Sequence, residues 1–98
     1  MKRQYMLYSS AAPMVFDGTV AVCFIVQMHN NVSSAKVKNI APGVTYTFIF
    51  HQDAHGGHAF LWPSTCRNPT DVGRAPGQTS VHNFIGNGGY LDATMPGT

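Results

Sequence analysis

Apolar and polar residues alternate along the segment Val44–Phe50, which has the clearest periodicity in the chain. Because successive side chains of a β-strand point to opposite faces, this alternation predicts a strand with one strongly apolar face. Gly56 and Gly57 interrupt the pattern, and His58–Trp62 resumes an extended apolar run. Pro63 ends that run, since proline cannot donate to a sheet ladder. The segment therefore predicts a β-hairpin whose aromatic side chains carry the core.

A second strong strand is predicted at Thr19–Met28, and it is apolar on both faces. Ala21, Cys23 and Ile25 occupy the face opposite the main apolar positions. A strand that is apolar on both faces is covered on both faces. The second cover is either the far layer of a sandwich or another copy of the protein. We therefore take the second-face residue Ile25, and likewise Ile49 of the hairpin, as candidate contacts between copies.

Short apolar stretches and turn signals alternate along the rest of the chain. Asp17-Gly18, Pro42-Gly43 and the run Gly86–Gly89 are typical of turns, and no segment combines a 3.6-residue period with helix caps. The pattern predicts about seven to eight short strands in an all-β, antiparallel, jelly-roll-like β-sandwich. Residues 1–98 form one domain, with 1–10 a candidate N-terminal arm and Ser64–Gln78 a long irregular loop.

Composition narrows the class of protein. Charged residues make up 10% of the 98 residues and the net charge is +2, whereas a typical domain is about 25% charged. The basic residues are scattered, so nucleic-acid binding, which needs a basic stripe, is not expected. The run Val20–Met28 is too short to span a bilayer and no secretory signal is recognisable. We expect no membrane partner, and a surface that packs against neighbouring proteins.

Five blocks in the last two thirds of the chain form a recognisable series: Asn31–Ser34, Pro42–Phe48, Gln52–Pro63, Ala75-Pro76 and Phe84–Gly88. The series resembles a small β-module of bacteriophage virion proteins, met at tail-fibre tips and in capsid decoration proteins. Its most specific part is the third block, which opens with Gln-Asp-Ala and closes with Trp-Pro. The resemblance implies an antiparallel β-sandwich, often trimeric, that belongs to a virion and has no catalytic residues.

Three histidines depart from that resemblance. His51, His55 and His58 stand where the family usually has threonine or arginine-like residues, and the family's frequent second tryptophan is missing near Arg67. With Asp53 the imidazoles could supply nitrogen and oxygen ligands to a metal, although their spacing matches no recognised zinc pattern. The alternative is a solvated turn or an interface between copies. We predict no metal and no cofactor.

A structural role is expected for Asp53, since its carboxylate beside Gly56 and Gly57 can accept amide hydrogen bonds as Asx-turns do. The chain has no glutamate and only four dispersed aspartates, so a paired-carboxylate hydrolase is not expected. Cys66 lacks the helix start or glycine elbow that would activate a thiol. Cys23 and Cys66 are expected as two thiols, with a disulfide as the alternative. We predict no catalytic residue and no enzyme.

Length separates two roles within a virion. A chain of 98 residues without a coiled coil or collagen-like repeat is shorter than a long fibre needs. We expect a homotrimeric capsid decoration or cement protein, made in the host cytoplasm, that binds the major capsid protein or another virion protein on the outer surface. The alternative is a tail-fibre or baseplate knob that recognises a host-surface glycan. The candidate contact residues are Tyr5, Tyr8, Ile25, Ile49, Arg67, Arg74 and Tyr90.

Overall fold

All regular structure in the described part of the chain, residues 5–9 and 14–93 of the computed structural model, is β-structure. No helix long and apolar enough to cross a membrane occurs in these residues. The strands in chain order are β1 (Met6–Ser9), β2 (Met14–Asp17), β3 (Cys23–Met28), β4 (Ala35–Lys38), β5 (Thr45–Gln52), β6 (Cys66–Arg67), β7 (Thr79–Asn87) and β8 (Tyr90–Ala93).

The first five strands form a solenoid-like coil that passes back and forth between two sheets. In the larger sheet β1, β3 and β5 lie side by side in parallel, and in the smaller sheet β2 pairs in parallel with β4. Met6, Phe24 and Phe48 consequently share one register row. Parallel neighbours require a crossover connection. Here each crossover runs through a strand of the opposite sheet.

The all-β class with about eight short strands is confirmed, but the antiparallel, jelly-roll-like arrangement is wrong for this coil. Alternation of apolar and polar residues fixes which face of a strand is buried. It does not fix the direction of the neighbouring strand. Because β2 and β4 carry the chain to the smaller sheet, consecutive strands of the coil do not pair with each other.

The last strands close the larger sheet in the antiparallel sense. β7 pairs antiparallel with β5, β8 pairs antiparallel with β7, and β6 adds a short parallel strand at the edge of β8. Gly88 and Gly89 form the turn between β7 and β8 with φ angles of 62° and 90°, which glycine adopts without steric cost. The glycine-rich turn predicted at Gly86–Gly89 is therefore confirmed at Gly88 and Gly89, whereas Gly86 and Asn87 belong to β7.

The hairpin predicted across Val44–Pro63 is confirmed in its first strand, β5, and wrong in its second. Phe60 forms an isolated parallel bridge with Val32, in which the Val32 amide donates to the Ala59 carbonyl at 2.8 Å. The two edges of β5 are already occupied by β3 and β7, so no edge is left for the segment after the loop. Pro63, which lacks an amide hydrogen, lies three residues after the bridge residue Phe60.

The hydrophobic core lies between the inner face of the larger sheet and the smaller sheet. Phe48 packs edge-on against Phe16 of β2, with 5.1 Å between ring centroids, and against Trp62 at 5.5 Å. Such aromatic pairs stabilise a fold beyond the area they bury. The aromatic residues of the Val44–Pro63 segment therefore carry the core, as the sequence predicts. The fully buried aromatic side chains are Phe16, Phe24, Tyr46, Phe48, Phe50 and Phe84.

The long loop Ser64–Gln78 is irregular apart from the two residues of β6, and it is fastened to the core. The Trp62 indole donates to the Thr70 carbonyl at 2.9 Å, and Val72 is buried. Of the predicted arm 1–10, residues 6–9 form the edge strand β1. Residues 1–4 and 10 lie outside the described part of the chain.

Candidate functional site

Asp53 organises the turn that follows β5. Its Oδ1 atom accepts hydrogen bonds from the amides of His55 and Gly56 and lies 3.0 Å from His58 Nε2. Burial acts to raise the pKa of Asp53, but the bonds from Gly56, His58 and His55 outweigh it and leave the pKa below its usual value. Gly56 and Gly57 adopt φ angles of 67° and 75°. This geometry matches the turn predicted for Asp53, Gly56 and Gly57.

Gln52 ties this turn to the long loop. Its side-chain nitrogen donates to the carbonyls of His58 and Gly73 at 2.9 and 3.0 Å, and its side-chain oxygen accepts from the His58 amide at 3.2 Å. Because Gln52 is buried, losing these partners would leave polar atoms unsatisfied in the interior. The turn is therefore a fixed part of the architecture.

The three predicted histidines are not brought together. His58 binds Asp53, whereas His51 Nδ1 lies 2.7 Å from the Thr79 hydroxyl, and His55 is exposed. His29, which sequence reasoning missed, lies with Nδ1 3.9 Å from Asp53 Oδ2. Among residues 5–9 and 14–93, no group of three or more histidine, cysteine, aspartate or glutamate side chains is arranged to hold a metal ion.

Two thiols and a buried imidazole complete the titratable groups near the core. Cys23 and Cys66 are both free, and burial raises the pKa of the Cys66 thiol to about 12, which suppresses the reactive thiolate. His82 Nδ1 lies 3.0 Å from the Thr70 hydroxyl, while its buried Nε2 has no partner in the described part of the chain. Burial lowers the pKa of His82. His82 and Phe84 are alternate buried positions of β7. This alternation is the sequence signal from which the inward position of His82 could have been predicted.

The outer face, defined as the outward side of β1, β3, β5 and β7, carries an apolar row. Leu7 pairs with Ile25, Ile25 with Ile49, and Ile49 with Val81 in register. Leu7 and Val81 are 63% and 56% exposed, and the two isoleucines between them are partly buried. On these four strands no outward residue is an aspartate, glutamate, lysine or arginine, and His51 is the one outward imidazole in the described residues. The predicted contacts Ile25 and Ile49 thus lie in the middle of a neutral surface.

Two further candidate residues, Arg67 and Tyr90, meet beside Asp92 at the edge of the larger sheet. Arg67 and Asp92 form a bidentate ion pair at 2.5 and 3.0 Å, and the guanidinium lies 4.5 Å from the centre of the Tyr90 ring. Hydrogen bonds from Arg67 and then Asn87 hold the pKa of Asp92 below its usual value. Arg67 and Tyr90 are exposed. They form one small polar and aromatic cluster.

The other candidate contacts lie apart from that cluster. Tyr8 is partly buried, with its ring 4.9 Å from Phe16 between centroids, so it contributes to the core packing. Tyr5 is 52% exposed next to β1. Arg74 is exposed in the long loop, where its carbonyl accepts from the Gly57 amide. The predicted contact residues are thus spread over several surfaces.

A groove runs along the free edge of β4, and sequence reasoning missed it. It has a volume of about 630 Å³ and opens between β4 and the segment Pro63–Thr65. Beyond Pro63 the chain leaves β4, and β6 pairs with β8. We call this feature the β4 groove; it is lined by Val15, Ala35, Lys36, Val37, Lys38, Pro63, Ser64 and Thr65.

Comparison with known protein families gives one match. The model of the family described as "Putative phage tail fibre C-terminal domain" matches residues 15–90. No curated protein and no solved structure matches the chain significantly. The matched residues include β3 to β7, the Asp53 turn and the β4 groove, and the resemblance to a phage virion module is confirmed. The chain belongs to this family of phage tail fibre C-terminal domains.

Proposed function

We propose that this protein is a non-enzymatic module at the distal end of a phage tail fibre, where it contacts the host surface. The family match across residues 15–90 carries the proposal, because it covers most of the chain and names a fibre domain. The match favours the fibre alternative over the capsid decoration role expected from length. A short chain with a neutral outer face also suits a capsid lattice, so the position on the virion distinguishes the two roles.

Immunogold electron microscopy of intact virions tests the position directly. Antibodies raised against the full chain are expected to label the distal ends of the tail fibres. Labelling over the capsid shell would overturn the fibre role and support decoration of the major capsid protein. Antibody pre-incubated with an excess of the free chain serves as the control for specific labelling.

Self-association through the outer face is the second part of the proposal, with a homotrimer as the expected state. The apolar row exposes large side chains, and the outward positions on its four strands hold no aspartate, glutamate, lysine or arginine. Two such faces can therefore approach each other without burying an unpaired charged side chain, which would cost on the order of several kcal/mol. A second copy of the chain is thus the occupant that this surface fits.

Light scattering after size-exclusion chromatography checks the association. Wild-type protein is expected at a multiple of the chain mass, and Ile49→Lys is expected at the monomer mass because it places a charge in the middle of the apolar row. Leu61→Lys is the matched control, since Leu61 is 64% exposed away from that face. A monomeric wild type, or equal dissociation in both variants, would contradict the assignment of this interface.

A further inference from the structure

We propose that the β4 groove is a binding site for an acidic oligosaccharide. The proposal rests on the host-surface role above and assigns a location and a ligand chemistry to it. Three features of the groove carry it: an unpaired strand edge, two lysines on one side of that strand, and hydroxyl-bearing and apolar side walls.

The strand edge offers backbone donors and acceptors to a ligand. The Met14 amide donates to the Ser34 carbonyl and the Gly18 amide to the Lys38 carbonyl, so the even-numbered residues of β4 direct their backbone groups toward β2. In a parallel pair, successive residues direct these groups to opposite edges. Ala35 and Val37 therefore present their N–H and C=O groups to the groove. Within the described residues these groups have no hydrogen-bond partner.

The unpaired edge results from the sequence around Pro63. An isolated parallel bridge between Val32 and Phe60 precedes β4, and in it the Leu61 amide donates to the Val32 carbonyl at 2.8 Å. Pro63 has no amide hydrogen and cannot continue that ladder. The Thr65 carbonyl instead accepts from the Leu91 amide, which draws the chain away from β4. The groove thus lies between β4 and the segment Pro63, Ser64 and Thr65.

The positive charges of the two lysines that line the groove favour an anionic ligand. Lys36 and Lys38 are exposed and lie two residues apart on β4, roughly 7 Å along the strand. Lys36 has no ion pair among the described residues. Lys38 Nζ lies 3.9 Å from Asp17 Oδ2 in an exposed pair, which is a weak interaction. Asp17 Oδ1 is itself occupied by Thr19 and Asn39, and Asp17 does not line the groove.

The walls suit a sugar. Ser64 and Thr65 supply hydroxyls, while Val15, which is 43% exposed, and Pro63 supply apolar surface. A saccharide presents both hydroxyls and apolar ring faces, and a volume of about 630 Å³ lies within the usual range for ligand sites. An added peptide strand fits less well, because β4 is only four residues long.

Nuclear magnetic resonance titration of the ¹⁵N-labelled full chain tests the site. The probes are tetragalacturonate, which carries carboxylates, a phosphate-bearing lipopolysaccharide core oligosaccharide, and neutral maltotetraose. We expect the amides of Ala35 and Val37 to shift with one or both acidic probes, and the probe that binds identifies carboxylate or phosphate as the anion. Equal shifts with maltotetraose, or none with either acidic probe, would overturn the proposal.

Two variants with the same loss of charge separate the site from general attraction. Lys36→Gln is expected to weaken binding of the acidic probe about 10-fold, the order of one charge-assisted hydrogen bond. Gln78→Glu lowers the net charge by the same one unit at an exposed side chain outside the groove and is expected to leave the affinity within about 2-fold, since distant exposed charges are screened. Equal losses in both variants would show non-specific attraction. Shifts at Ala35 and Val37 with an extended peptide alone would replace the sugar by an added strand.

This outcome is independent of the position of the protein on the virion. Capsid labelling by immunogold together with specific binding of an acidic probe would overturn the fibre role and leave the site intact. Fibre labelling without any binding in the groove would do the reverse.

Discussion

The two faces of the larger sheet are built from the same strands and have opposite character. On β5, Phe48 and Phe50 point inward into the aromatic core, while Thr47 and Ile49 point outward. The inner face is closed by the smaller sheet and by Trp62. The outer face has no covering layer in the described part of the chain and carries the neutral apolar row. One alternating pattern therefore encodes a core on one side and an uncovered apolar row on the other.

The difference shows that an apolar residue of a strand can face either the core or the outer surface. Because the side-chain period is two, a shift of one residue exchanges the faces completely. Phe48 is fully buried, whereas Val81, in the same sheet, is 56% exposed. Burial on the inner face stabilises the single chain. The outer face would be buried only against a partner, and that burial would stabilise the complex instead of the single chain.

The largest expected effect comes from truncating the inner face. Phe48→Ala removes a ring that packs against Phe16, Trp62 and Phe84, and large-to-small changes of this kind cost about 3–5 kcal/mol. Ile49→Ala, one position along, is expected to lower the unfolding free energy of the monomer by about 1 kcal/mol or less. Urea denaturation at a concentration where the chain is monomeric measures both. Equal losses at the two positions would break the comparison between the faces.

The inner face is also the part of the fold that the sequence predicts well. Alternation at Val44–Phe50 identified the buried aromatic residues. Because one face of the strand is buried, every second residue of the segment is apolar, and this pattern is visible within the segment itself. The turn glycines and Asp53 were predictable for the same reason: their hydrogen bonds connect residues within a few positions. Features that depend on residues close in sequence can therefore be predicted from the sequence of one segment.

Strand direction and the β4 groove were not predictable, because they depend on distant partners. Nothing within β3 indicates that β1 and β5 run parallel to it. The groove arises where Pro63 interrupts a ladder begun by Val32, about thirty residues away along the chain. His29 approaches Asp53 for the same reason. Contacts between distant segments leave no mark in the sequence of either segment alone.

The next largest effect is expected in the turn that joins the sheet to the long loop. A Cβ atom on Gly56, at a φ of 67°, would lie 2.6 Å from the Pro76 nitrogen, whereas one on Gly57, at 75°, would meet nothing within 4 Å. Backbone strain alone costs about 1–3 kcal/mol, and overpacking adds about 1–3 kcal/mol. Thermal denaturation should therefore show a larger loss for Gly56→Ala than for Gly57→Ala. Equal losses would mean that the loop moves away without cost.

A smaller effect, dependent on pH, is expected from the one buried imidazole on the inner side of β7. Burial lowers the pKa of His82 below the ordinary value of 6.5, so the unfolded chain binds the proton more readily than the folded one. The stability this residue contributes is complete above about pH 6.5 and is lost as the pH falls toward its folded pKa. Melting temperatures at pH 7 and pH 5 should fall less in His82→Phe than in wild type.

The exposed His55 supplies the control for that measurement. His55→Gln removes a titratable group outside the core and should retain the wild-type difference between pH 7 and pH 5. If His82→Phe also retained the full difference, the acid sensitivity would have to come from groups outside the inner face.

The smallest effect is expected at the charged edge of the larger sheet. Arg67 and Asp92 form the ion pair beside Tyr90, and both are accessible to solvent. Exposed pairs contribute little because water and salt screen them, so Asp92→Asn should shift the melting temperature by only about 1–2 °C. The shift should disappear in 1 M salt. A larger shift that persists in salt would mean that the cluster of Arg67, Tyr90 and Asn87 is a packed structural unit. At β8 an exposed surface would then contribute to the stability of the single chain, as the inner face does.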